Sequence, residues 1–116
     1  MRRFLLVLVL IAVPLAARAD GFVPGTEDLP LMPGLVAVAG SAVVFDKPEG
    51  RIVESTAHGK VTRYAVTRFY AQTLPQLGWH HVAGTAAAWT RAGERLNLDF
   101  HGHDGDLTVG FTIAPR

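Results

Sequence analysis

Residues 61–79 read VTRYAVTRFYAQTLPQLGW. Val66, Phe69, Tyr70, Thr73, Leu74 and Leu77 recur at three- and four-residue spacing, which at about 100° per residue gathers them on one stripe. Arg68, Ala71 and Gln72 fall on the opposite side. The spacing predicts an amphipathic helix that buries one side only. Thr62 is the expected N-cap, because its hydroxyl can accept from a free first-turn N–H. Pro75 has no N–H and is expected to kink or tighten the last turn. Gly78 suits the left-handed residue that ends helices. Trp79 then begins the next strand, and its indole N–H needs a partner if buried. Tyr64 stands on the polar side, one turn before Arg68. That pair is a candidate binding surface, the alternative being a stacked surface pair.

Working downstream, His80–Val82 and Ala86–Arg91 are short strand candidates, and Ala92-Gly93 reads as a turn. Arg95–His101 alternates cleanly, with Leu96, Leu98 and Phe100 on one face. Asp104-Gly105 is the strongest hairpin signal in the chain. Leu107, Val109, Phe111 and Ile113 alternate beyond it. Pairing across that turn sets Phe100 opposite Val109, Leu98 opposite Phe111, and Leu96 opposite Ile113, so turn and face pattern agree on one register.

Upstream, Leu35–Ala39 is a short apolar run. Ala42–Phe45 and Ile52–Thr56 read as strands around Asp46-Lys47-Pro48-Glu49-Gly50. Pro at the first corner and Gly at a left-handed position imply a three-residue loop with Lys47 opposite Arg51. Ala57–Lys60 links that hairpin to the helix. The resulting expectation is an α+β fold: an antiparallel sheet of about five to six strands packed on one central amphipathic helix.

The N-terminus has its own signature. Met1-Arg2-Arg3 is a basic segment, FLLVLVLIAVPLAA at 4–17 is apolar, and Ala17-Arg18-Ala19 fits a cleavage site. Residues 1–19 therefore read as a secretory signal peptide, and the apolar run is shorter than the roughly 20 residues a membrane span needs. Removing Arg2, Arg3 and Arg18 from 11 basic residues leaves eight against ten acidic ones, a net charge of −2. No basic patch points to nucleic acid. The 116-residue chain has no cysteine, hence no disulfide framework and no lipidation site. Residues 20–34, DGFVPGTEDLPLMPG, carry three prolines and are expected to be extended. Phe22, Val23, Leu29, Leu31 and Met32 make this arm too apolar for a bare linker. It is expected to lie along the single domain at 35–116, the alternative being a mobile peptide that docks on a partner.

Three phrases together carry a resemblance: FDKPEGRI at 45–52, FYAQTLPQLGW at 69–79 and RAGERL at 91–96. They resemble a group of small exported bacterial proteins with an FY-x(3)-LP-x-LGW helix end. That group has no assigned activity, so it transfers no functional residues. The order of helix, GW and strands is also similar to helix-grip domains of envelope lipoproteins, such as accessory modules of the outer-membrane assembly machinery. Unlike those lipoproteins, this chain lacks the anchoring cysteine.

Candidate chemistry is sparse. His101-Gly102-His103 puts two imidazoles on one strand face, and Asp106 lies across the hairpin from His103. This is a possible transition-metal set. Ser41 and Ser55 lie in strand-forming sequence without a nucleophile elbow, and no glycine-rich phosphate loop is present. No catalytic residues and no cofactor are assigned. The expected function is a non-enzymatic interaction or accessory domain, periplasmic or secreted. Its partner would be an envelope or periplasmic protein, with neither nucleic acid nor a stable membrane anchor involved. The alternatives are a metal-binding protein using His101, His103 and Asp106, or a small apolar-ligand carrier lined by core aromatics.

Overall fold

The computed structural model describes residues 21–116. The expected signal peptide, residues 1–19, lies outside the described residues. The architecture is α+β, mostly antiparallel sheet with one short helix. In chain order the elements are β1 (Leu35–Ala37), β2 (Val43–Lys47), β3 (Gly50–Gly59), α1 (Arg63–Thr73), β4 (His80–His81), β5 (Ala88–Arg91), β6 (Glu94–His103) and β7 (Asp106–Pro115). The sheet runs β1-β3-β7-β6-β5-β4, with β2 also paired to β3. Seven strands replace the expected five to six.

The centre of the sheet is three ten-residue strands, β3, β7 and β6. Period-two alternation sorts their faces. Val53, Ala57, Leu96, Leu98, Leu107, Val109, Phe111 and Ile113 are buried on one side. Glu54, His58, Asp99 and His101 are exposed on the other. The β6–β7 register matches the expectation at Phe100–Val109, Leu98–Phe111 and Leu96–Ile113.

The β2–β3 hairpin differs from its expected form. Lys47 pairs with Gly50 and Asp46 with Arg51, so only Pro48 and Glu49 make the loop. Gly50 takes φ +142° and still joins the ladder, so a residue read as loop becomes the first residue of β3. Strand β3 then continues through Gly59, absorbing the expected linker at 57–59. β1 and β2 lie along one edge of β3, separated by residues 38–42. Ser41 fastens that excursion, its hydroxyl accepting from the Thr56 N–H at 3.1 Å and donating to the Thr56 carbonyl at 3.3 Å.

The helix forms as its sequence dictates. Thr62 Oγ1 accepts from the Ala65 N–H at 3.0 Å. After Thr73 the chain tightens into a 3-10 turn, Leu74–Leu77, at Pro75, and Gly78 closes it at φ +91°. A second cap comes from the β6–β7 turn. Asp104 Oδ1 accepts from the Arg63 N–H at 2.9 Å, and the Gly105 N–H donates to the Val61 carbonyl at 2.9 Å. A carboxylate at this end of the helix is favoured by its exposed N–H groups.

Val66, Tyr70 and Leu74 are buried in the same apolar cluster as Val109 and Phe111. The Tyr70 ring meets Phe111 edge-to-face, centroids 5.7 Å apart. The N-terminal arm joins that cluster through Val23, Leu29 and Leu31, in agreement with the packed form of the arm. Trp79 is buried beneath the Arg91 guanidinium, 4.4 Å from its ring centroid. Its Nε1 has no hydrogen-bond partner among the described residues, and neither does Ser55 Oγ.

Candidate functional site

Tyr70 brings two sequence-distant segments together. Its hydroxyl donates to the Pro30 carbonyl at 2.7 Å and accepts from the Met32 N–H at 3.2 Å. The arm folds back on itself instead of running extended, with Phe22 bridged to Pro30 and the Val23 N–H donating to the Leu29 carbonyl, and Tyr70 ties that fold to the helix. Burial pushes the Tyr70 phenol well above its ordinary pKa, against a smaller lowering by the Met32 N–H. The phenol stays protonated and keeps both bonds. Further along the arm, Arg91 holds Asp28 through two contacts of 2.9 and 3.3 Å, and donates to the Leu77 carbonyl at 3.0 Å.

With the arm pinned at both points, Met32 and Pro33 stand beside the exposed side of α1. Between them and Tyr64, Ala65, Arg68, Phe69 and Gln72 lies an open groove of about 380 Å³, at the low end of ligand-pocket sizes. Its lining is chiefly apolar and aromatic, with Arg68 its single charge. Tyr64 is 70% exposed, and Arg68 Nη1 reaches its hydroxyl at 3.5 Å. Arg68 takes no part in the ion pairs formed among the described residues. The two residues proposed from the sequence thus lie in one groove. Met32, Pro33, Phe69 and Gln72 complete the groove, and no sequence pattern marks them as site residues. The arm had been expected to lie along the domain, but nothing in its sequence says which helix face it meets.

The His101, His103 and Asp106 set is not brought together. Asp106 is opposite His103 in the ladder, yet its Oδ1 meets His58 Nε2 at 2.6 Å. His101 Nε2 meets Asp99 Oδ1 at 3.1 Å, and His103 Nδ1 lies 3.3 Å from the Asp104 carbonyl. Among the described residues no three His, Cys, Asp or Glu side chains form a metal-sized group. His58, a histidine the sequence does not place beside Asp106, arrives from β3 because that strand extends past Thr56.

A second concavity, about 320 Å³, lies on the open face of the sheet between Ser41, Glu54, Thr56, Asp99, His101 and Thr112. Its floor is Gly110, where a side chain would strike the Asp99 carboxylate. Within it Asp99 pairs with His101, and Ser41 bonds to the Thr56 backbone. The arm–helix groove presents apolar surface and a cation outside the ion pairs among the described residues, the features that reward a partner. No family model, no curated protein and no solved structure matches this chain.

Proposed function

We propose that this chain is an exported, non-enzymatic interaction domain that receives a partner protein in the arm–helix groove. The observation that carries the reading is the junction itself: an exposed Tyr64, an Arg68 outside the ion pairs, and Met32 and Pro33 held alongside by Tyr70. Tyr and Arg are over-represented among residues that dominate binding energy, and a pre-positioned groove reduces the ordering cost of association. In this reading α1 is the central packing element of the domain. Its buried stripe holds the sheet, and its other side holds the partner.

Export rests on the basic-apolar-small pattern of residues 1–19 and places the partner in the periplasm, in the envelope or outside the cell. The resemblance to small exported proteins with the FY-x(3)-LP-x-LGW phrase agrees with that placement. A photo-crosslinking amino acid tests the site. Placed at Tyr64 or Gln72 in cells, it is expected to give one discrete adduct, with none from Thr112 on the open sheet face. Adducts from Thr112 alone would sink the groove as the docking surface.

A further inference from the structure

Charge along this chain is uneven in a way that bears on the groove. No Asp or Glu occurs from Lys60 to Gly93, while that stretch holds Lys60, Arg63, Arg68 and Arg91. Two of these cations are occupied. Arg91 is bound to Asp28 and lies over Trp79, and Arg63 lies 4.6 Å from the Phe100 ring centroid. Among the described residues Arg68 has only the Tyr64 hydroxyl, at the outer limit of a hydrogen bond. The groove thus has an apolar floor of Met32, Pro33 and Phe69, an aromatic wall in Tyr64, and a guanidinium with donors to spare.

Building on the docking role argued above, we infer that the groove takes an acidic peptide segment of a partner protein. An aromatic or aliphatic side chain enters between Met32, Pro33 and Phe69, and a neighbouring carboxylate lies on Arg68. A carboxylate matches the planar fork of donors on a guanidinium, and the pair becomes stronger where apolar walls exclude water. Tyr64 is the natural partner for such a segment, since it stands beside the guanidinium and its ring offers flat contact area. A basic segment meets like charge at Arg68, and a purely apolar one leaves the guanidinium desolvated without a partner. A groove of about 380 Å³ accommodates a few side chains, which suits an extended or single-turn segment presented by its partner.

A random peptide display library selected against the exported chain tests this. Selected peptides are expected to carry Asp or Glu adjacent to an aromatic or aliphatic residue. Arg68→Glu is expected to weaken the selected peptide about tenfold or more, because an opposed charge becomes a like one. Selection against Arg68→Glu is expected to exchange the acidic residue for Lys or Arg. An acidic preference that survives Arg68→Glu overturns the inference. Uncharged apolar peptides whose binding is lost on Tyr64→Ala overturn the carboxylate and leave the groove standing. Peptides indifferent to both Tyr64→Ala and Arg68→Glu overturn the groove reading as well. Phosphatidylglycerol vesicles serve as the membrane control. Vesicle binding that Arg68→Glu abolishes, with no peptide selected, overturns the protein partner in favour of an anionic lipid surface.

Discussion

At position 92 the backbone takes φ +48° with an alanine side chain, while Gly93 beside it takes +82°. The two residues form the loop between β5 and β6, closed by the Arg91–Glu94 pair. Positive φ at both corners is the hairpin turn whose favoured sequence is Asn-Gly, so Ala92 holds a conformation that costs an L-residue about 1–2 kcal/mol. Ala92→Asn is expected to stabilise the domain by about 0.5–1 kcal/mol and raise Tm by about 2–8 °C, read by thermal unfolding. Tyr70 carries the opposite sign. Removing its hydroxyl leaves the Pro30 carbonyl and the Met32 N–H without this partner, so Tyr70→Phe is expected to cost about 1–3 kcal/mol at neutral pH. The phenol is held protonated in the fold, and its pKa there lies above the unfolded value of about 10. Below that pH its contribution is complete. As pH rises past it, the unfolded chain releases the proton first and stability drains away. Urea unfolding at pH 7 and again above pH 10 is expected to show wild type losing this increment while Tyr70→Phe does not.

Between elements, two strand glycines separate a structural requirement from a tolerated absence. Gly59, the last residue of β3, sits against β1, and a Cβ there would run into the carbonyl oxygen of Gly34. That oxygen belongs to rigid backbone, so Gly59→Ala is expected to cost about 2–3 kcal/mol and to loosen β1. At Gly110 a Cβ would meet the Asp99 carboxylate at 2.6 Å, but that group is the mobile end of a half-exposed side chain. A glycine inside a strand also forgoes packing. Gly110→Ala is therefore expected to stay within about 0.5 kcal/mol of wild type while displacing Asp99 from His101, visible as a shift of the His101 ring signals in NMR spectra. Chemical denaturation of the pair decides the contrast, and equal losses would contradict it. Elements of this kind were legible in unequal degree. The Asp104-Gly105 turn set its ladder correctly because turn chemistry and alternation spoke to the same residues. The Pro48 loop is one residue shorter than its turn chemistry suggests, because Gly50, free to adopt φ +142°, enters the strand rather than the turn. The 38–42 excursion is fastened to Thr56 by the Val38 N–H and by the Ser41 hydroxyl, fifteen positions away, contacts that local pattern does not carry.

On the scale of the whole molecule the sheet has one covered face and one open face. The groove belongs to the covered side, and its visibility in the sequence was partial for that reason. Tyr64 and Arg68 broke the helix stripe and so stood out, whereas Met32 and Pro33 entered only through long-range bonds to Tyr70. The sheet edges differ as well. At one end β4 has only two residues, too short to template another chain. At the other, β2 is exposed throughout, with Val43, Val44 and Phe45 in sequence. An exposed apolar edge invites strand addition. Here its protection is limited to the Asp46-Lys47-Pro48 tip and to the 38–42 excursion that interrupts the edge. Phe45 is 52% exposed and pairs with Ile52, so its replacement removes little core. Phe45→Lys places a charge on the open edge at small cost to the fold. Tm is expected to move by less than about 2–4 °C, while light scattering of heated samples falls and its dependence on protein concentration weakens. If scattering instead tracks Tm across Phe45→Lys and Gly59→Ala alike, association proceeds from the unfolded chain and the β2 edge plays no part in it.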